Sequence, residues 1–302
     1  MEISKFLRKF HMRWLWRKFN SIPLLLRWPI KWLLLAIVVF LVCYPQPRIF
    51  LRQVQHLRQW DELPDERGPA FDEAAEGFEQ FMAKNGKQYQ YPAGILDAVQ
   101  DYVYEEIPYS WDWEVWGVAD YTPTVTEVIE QGREDCDGRA VLAAALLRSK
   151  DIDARLVAGN GHVWLETPLG PTMDPLGEAS LRADEEGLDI DWKQFLQLRT
   201  FAYGVAVFPW VRELIIVLAV WILLLPGRIK WPYAALGLYL LVVGWWVIRL
   251  AGDDPLEVDA EVIYWGLGHL VFAGFILWIG GKFAKRTDRS VRAAEEPQAT
   301  ET

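Results

Sequence analysis

The chain has 302 residues, 52% of them hydrophobic and 17 of them tryptophan, with a formal net charge of −10. That charge is unevenly spread: residues 1–45 carry eight Lys/Arg against one acid, and residues 46–204 carry fourteen against thirty. The acidic middle lacks the basic stripe that a phosphate backbone requires, which excludes nucleic acid as its partner; two cysteines, Cys43 and Cys136, are too few for a disulfide framework or a thiolate-ligated zinc.

Residues 1–50 read as a basic segment followed by a first membrane helix. The uncharged run from Trp32 to Tyr44 is short of the roughly 18 to 20 residues that a span needs. Extended back to Leu24 it is long enough, with Arg27 and Lys31 near one end, where their aliphatic stems reach the headgroups. The basic stretch in front is too long for a cleavable signal peptide, and no small-x-small site follows. Cys43, preceded by bulky Leu41 and Val42, reads as a membrane-facing residue.

Residues 51–204 form a polar region. "FDEAAEGFEQFMAKNG" has the helical period, with Phe71, Phe78 and Phe81/Met82 on one stripe and Gly86 at its end. "GILDAVQDYVYEEI" repeats that period until Pro108 stops it. The aromatic stretch Tyr109–Tyr121 reads either as core or as the wall of a site, with Trp111, Trp113 and Trp116 as candidates. From Asp137 to about Lys150 the apolar residues run round the whole helix, which predicts burial on every side. "ARLVAGNGHVWLET" gives two strands about Asn160-Gly161, a turn pair that tolerates positive φ at both positions. A third strand, pairing with the second, is expected near "PTMDP".

Residues 205–281 hold three more apolar runs, Phe208–Pro226, Trp231–Leu250 and Val262–Gly281. The last two are about 20 residues each and edged by tryptophan, while the first contains Arg212 and Glu213. With about four spans, the positive-inside rule puts the N-terminus, the Arg228/Lys230 loop and Lys282–Arg289 in the cytoplasm, and residues 51–204 outside. Residues 282–302 have the composition of a disordered cytoplasmic tail. Arg212, Glu213 and His269 are too sparse to favour an ion or proton path through the helices.

The polar region also carries a chemical pattern. His162 opens the second strand, and Asp174 follows after a turn. If the buried helix packs on the same sheet face, its first turn delivers Cys136 to His162, and thiol, imidazole and carboxylate become nucleophile, base and orienter. Peptide dipoles at the helix start favour a thiolate, whereas Asp135 and Asp137 oppose one unless Arg133 and Arg139 neutralise them. Taken singly, each residue has an ordinary reading: an inert buried thiol, a satisfied strand histidine, a turn-starting Asp before Pro175, and acids that cap a helix.

The stretch "GVADYTPTVTEVIEQGREDCDGRAVLAAALLRSKDIDARLVAGNGHVWLETPLGPTMDP" resembles the core of the transglutaminase-like superfamily of papain-fold cysteine enzymes, in particular its bacterial cysteine-proteinase branch. The matching elements are Pro123 and Glu127, Gly132 with Asp135-Cys136, the helix Ala140–Arg148, the strand Ala154–Val157, the strand His162–Glu166, and Asp174-Pro175. The resemblance implies Cys136 as nucleophile, His162 as general base and acid, and Asp174 as the group orienting His162. It implies an α+β, papain-like core, with the nucleophile helix packed on a small antiparallel sheet, joined to about four transmembrane helices. The implied activity is thiol-dependent acyl transfer on peptide or protein amides of the cell envelope, with hydrolysis (a peptidase or amidase) favoured over transfer to an amine; the alternative is a catalytically inactive binding module. No cofactor is implied, although some relatives hold calcium beside this cysteine, which gives Asp135 and Asp137 a second reading as ligands of a hard cation. Two features depart from the family pattern: Glu134 stands where a second glycine is more usual, and the 26 residues from Cys136 to His162 are fewer than usual.

Overall fold

A computed structural model describes residues 19, 22–175, 178–184, 187–253 and 258–295. In chain order the helices α1 (Leu24–Cys43), α2 (Pro47–Arg58), α3 (Pro69–Asn85), α4 (Gly94–Glu106), α5 (Asp112–Val115), α6 (Val125–Gln131) and α7 (Cys136–Arg148) come first. Strands β1 (Arg155–Gly159), β2 (His162–Glu166), β3 (Leu181–Asp184) and β4 (Gly187–Ile190) follow, then α8 (Trp192–Phe195), α9 (Leu198–Val207), α10 (Trp210–Leu224), α11 (Trp231–Ala251) and α12 (Ala260–Glu295). Two compact units result, one of Cys43–Pro209 with Ala251–Ala260, the other of Met1–Val42, Trp210–Leu250 and Glu261–Thr302.

The first unit is a mostly helical α+β fold built round α7. Alanine and leucine give that helix high intrinsic propensity, and Asp135 caps it by accepting the Asp137 N–H. As the pattern predicts, α7 has no wet side: every residue from Ala140 to Leu147 is 0–1% exposed. It packs against α4, α6 and β2. The antiparallel sheet has the order β2-β1-β3-β4. Asn160 (φ 53°) and Gly161 (φ 76°) form the β1–β2 turn, which pairs Gly159 with His162 and starts β2 at the histidine. The α3 and α4 helices end as their sequences predict, at Gly86 and ahead of Pro108, with Phe71 and Phe78 of α3 buried.

One strand differs from expectation. "PTMDP" contributes a single bridge, Leu165 to Thr172, because Met173 and Asp174 both turn left-handed (φ 67° and 55°) and end the pairing there. The sheet is completed instead by the short pair β3–β4.

Among the described residues the helices long and apolar enough to cross a membrane are Leu25–Cys43, Trp231–Ala251 and Ala260–Ala284, three, or four if α9 and α10 together make one broken span. The α10 helix alone has 15 residues, about 22 Å at 1.5 Å per residue. It starts late because Pro209 forces Phe208 into an extended conformation (ψ 147°). The Arg249 guanidinium donates to Glu213 at 3.0 Å, which accommodates the charge in the α10 run. The α11 and α12 backbones approach closely: a Cβ on Gly244 would lie 2.8 Å from the Gly266 carbonyl oxygen. The expected tail at 282–302 is helical as far as Glu295, since α12 continues through it, and residues 296–302 lie outside the described part.

Candidate active site

A chain of local devices fixes the approach to Cys136. Thr124 and Glu127 form a capping box at the start of α6, and Gly132 ends that helix left-handed at φ 63°. The next residues pair with the segment before α5: Glu134 N–H donates to Pro108 O (3.2 Å) and Ser110 N–H donates to Glu134 O (3.1 Å). Cys136 is therefore the first residue of α7, half-buried against the core, and its sulfur accepts the backbone N–H of Val163 in β2.

His162 occupies the adjoining residue of β2, half-buried. Its Nε2 lies 3.0 Å from the Met173 carbonyl oxygen. A carbonyl only accepts, so Nε2 carries the proton, and the neutral ring keeps its basic lone pair on Nδ1. The expected meeting of His162 with the Asp174 carboxylate takes another form: Asp174 accepts from Tyr104 O–H at 2.8 Å and from Gln100 Nε2 at 3.5 Å, both on α4. The atom on the imidazole is the carbonyl one residue earlier. The structure thus brings Cys136 and His162 to one end of the α7–β2 packing, with Asp174 holding the neighbouring turn from outside.

Beneath Cys136 lies a carboxylate pocket. One oxygen from each of Asp112, Glu134, Asp135 and Asp137 lies within 4.8 Å of the others. Glu134 is 0% exposed, Asp112 3% and Asp137 5%. Some oxygens are satisfied: Asp112 accepts Tyr121 N–H at 2.7 Å, Asp137 accepts the Thr122 hydroxyl at 3.0 Å, and Glu134 accepts Trp116 Nε1–H at 2.6 Å. Among the described residues Asp112 Oδ1 is buried with no hydrogen-bond partner, and Asp137 Oδ1 is buried with no donor other than a proton shared with the Asp135 carboxyl. Burial pushes these carboxyls up, with the Asp135 charge adding to the effect on Asp112, Glu134 and Asp137; Glu134 reaches about 8. Burial first, and then the Asp135 charge, also pushes the Cys136 thiol up. An all-oxygen set with orphaned buried atoms is what a hard cation takes, so these residues fit calcium or magnesium.

Residues 80–172 match the sequence model of the transglutaminase-like superfamily. They form a transglutaminase-like domain. No curated protein and no solved structure matches the chain.

The surroundings of Cys136 in the transglutaminase-like domain are aromatic, with Tyr104 and Tyr109 within reach of its charge. The Arg139 guanidinium stacks over Tyr104 (4.7 Å) and Tyr109 (5.1 Å) and donates to Ile107 O at 2.8 Å, and its charge reaches Asp135, whose carboxyl it lowers against the larger effect of burial. Trp116 belongs to the pocket through Glu134 and tilts against Tyr121. Trp111 and Trp113 stack on each other at 4.9 Å and are half-buried. Tyr203 of α9 packs against the hairpin turn: a Cβ on Gly161 would come 2.5 Å from its ring. Burial first, and then the charges of Cys136 and Asp135, push the Tyr203 phenol up to about 12.

Sequence reasoning missed several of these residues. Asp112 was hidden in an aromatic run, and nothing in its spacing ties it to Cys136. Gln100 and Tyr104 are four apart on α4, a spacing that puts them on one helix face, but the sequence does not say what that face meets. Glu134 was visible as a departure from the family pattern. Gly138 explains how it fits, since a Cβ there would lie 2.7 Å from Glu134 Cγ.

Proposed function

We propose that the domain is a thiol-dependent acyl-transfer enzyme acting on peptide or protein amides, with hydrolysis as its ordinary outcome. The observation that carries this reading is the His162 Nε2–H bond to Met173 O, which leaves Nδ1 as the base on a strand whose next N–H holds the Cys136 sulfur. The Cys136 proton passes to His162, and the sulfur attacks the amide carbonyl. The C–N bond then breaks as His162 returns the proton to the leaving amine. Water, deprotonated by His162, releases the acid from the Cys136 thioester. A hard cation held by Asp112, Glu134, Asp135 and Asp137 would supply the positive charge that offsets their opposition to a thiolate. Asp174 acts through the backbone: by anchoring the turn to Tyr104 and Gln100, it keeps the Met173 carbonyl on the imidazole.

The basic residues flanking the apolar runs support an integral membrane protein with this domain outside the cytoplasm and both termini inside, which makes envelope peptides and proteins its substrates. The experiment is to incubate the full chain in detergent with a panel of such peptides and search by mass spectrometry for cleavage and for an acyl adduct on Cys136. Both should vanish in Cys136→Ala. A chain that binds peptides, forms no adduct and cleaves none is the binding module instead. Asp174→Asn should retain activity to within about tenfold, because it leaves the Met173 carbonyl in place; loss of an acid bonded directly to a catalytic histidine costs about 10⁴-fold.

A further inference from the structure

The α8–α9 segment has an outward apolar side: Trp192 is 60% exposed, Leu196 72%, Leu198 40% and Phe201 46%. Leu198, Phe201 and Gly204 recur every three residues and are exposed, while Ala202 and Val205 turn into the core. Lys193 and Arg199 are exposed beside these apolar side chains.

Two ties fix what this side faces. The α9 helix ends at Val207 and α10 begins at Trp210, and three Cα steps reach at most about 11 Å. Independently, Gly252, the residue following α11, packs on the middle of α9: a Cβ there would lie 2.0 Å from the Ala202 carbonyl oxygen. A short amphipathic helix is thus joined to one apolar helix by the chain and packed on the residue that ends another. Helices that cross a bilayer end at its surface. We propose that the outward side of α8–α9 lies in the headgroup layer of a phospholipid bilayer, with Leu196, Leu198 and Phe201 among the upper acyl chains and Lys193 and Arg199 toward anionic headgroups. This rests on the reading that α11 crosses the membrane. The opposite side of the same ten-residue helix carries Tyr203 onto the Gly161 turn beside His162. The helix that covers the turn leading into His162 is therefore seated by lipid, and the substrates this site fits are amides presented at the membrane surface.

The test uses the full chain carrying Cys43→Ser and Cys136→Ser, with single cysteines introduced by Leu196→Cys, Phe201→Cys, Val242→Cys on α11, or Glu76→Cys on α3. Each is labelled with an environment-sensitive nitrobenzoxadiazole dye in vesicles of phosphatidylethanolamine and phosphatidylglycerol. Labels at 196 and 201 should lose about half their emission or more to lipids bearing a nitroxide near the acyl carbonyl, and less to a nitroxide near the chain end, as expected for a depth of about 5 to 10 Å. The label at 242 should show the reverse order and that at 76 neither. Labels at 196 and 201 that match position 76 would place this side in water and overturn the proposal. Blue-shifted but unquenched emission there would mean that protein covers it, a second copy included, and would overturn it equally. An unquenched label at 242 would remove the spanning reading and the proposal together.

Discussion

Replacing His162 with alanine should slow alkylation of Cys136 by iodoacetamide at pH 7 by about tenfold or more, in a full chain whose Cys43 has been changed to serine. An ordinary thiol is only a few per cent thiolate at that pH, whereas one paired with an imidazolium is largely ionised. Here the contrast should be sharper than usual, because burial and the Asp135 carboxylate push the Cys136 thiol up. The Val163 N–H stabilises the sulfur anion but carries no full charge, so the imidazole is the partner whose loss matters. Turnover by Cys136→Ala should fall by at least about 10³-fold. If alkylation runs equally fast with and without His162, the sulfur and the ring are not coupled, and the domain is a binding module.

Calcium should raise the midpoint of the domain's cooperative unfolding in the full chain, and a chelator should lower it. A ligand at about a hundred times its dissociation constant adds about 2.7 kcal/mol to the folded state. The sign of the variant separates a cation site from a merely acidic cluster. Asp137→Asn or Asp112→Asn removes a carboxyl whose ionisation burial opposes, so either variant should be more stable than the parent in chelator and should no longer respond to calcium. The effect should also depend on pH. Glu134 is raised from 4.5 to about 8, so its buried neutral form favours folding fully below its unfolded value. That contribution is lost as pH rises through about 8. Calcium's advantage should accordingly grow from about pH 5 to about pH 8.5, as ligands no longer compete with protons. Identical unfolding in calcium, magnesium and chelator throughout that range would mean that protons alone neutralise the pocket.

What could be read in the sequence was what depends on neighbours along the chain. The all-round apolar pattern of α7, the Asn160-Gly161 turn and the proline and glycine stops of α3 and α4 are local, and so the placement of Cys136 against the start of β2 followed from them. What could not be read depends on distant partners. Asp112 is an acid in a tryptophan-rich run until α5 turns it toward Asp135. Asp174 looked like a partner for the imidazole because a strand near it was expected to pair with the one His162 opens; the left-handed backbone at Met173 and Asp174 puts the Met173 carbonyl there instead, and the carboxylate bonds to α4. Strands β3 and β4 are only four residues each, too short for alternation to mark them out, and Tyr203 sits on a helix that reads as the far end of the polar region.

Gly138 carries a consequence for how this sequence can vary. Glycine inside a helix costs about 1 kcal/mol relative to alanine, and the penalty is tolerated here because the Glu134 side chain fills the space a methyl would need. A chain with glycine at 134 would have room for alanine at 138. Glutamate at 134 therefore calls for glycine at 138, and the fourth acid of the pocket comes at the cost of a weakened first turn of the nucleophile helix.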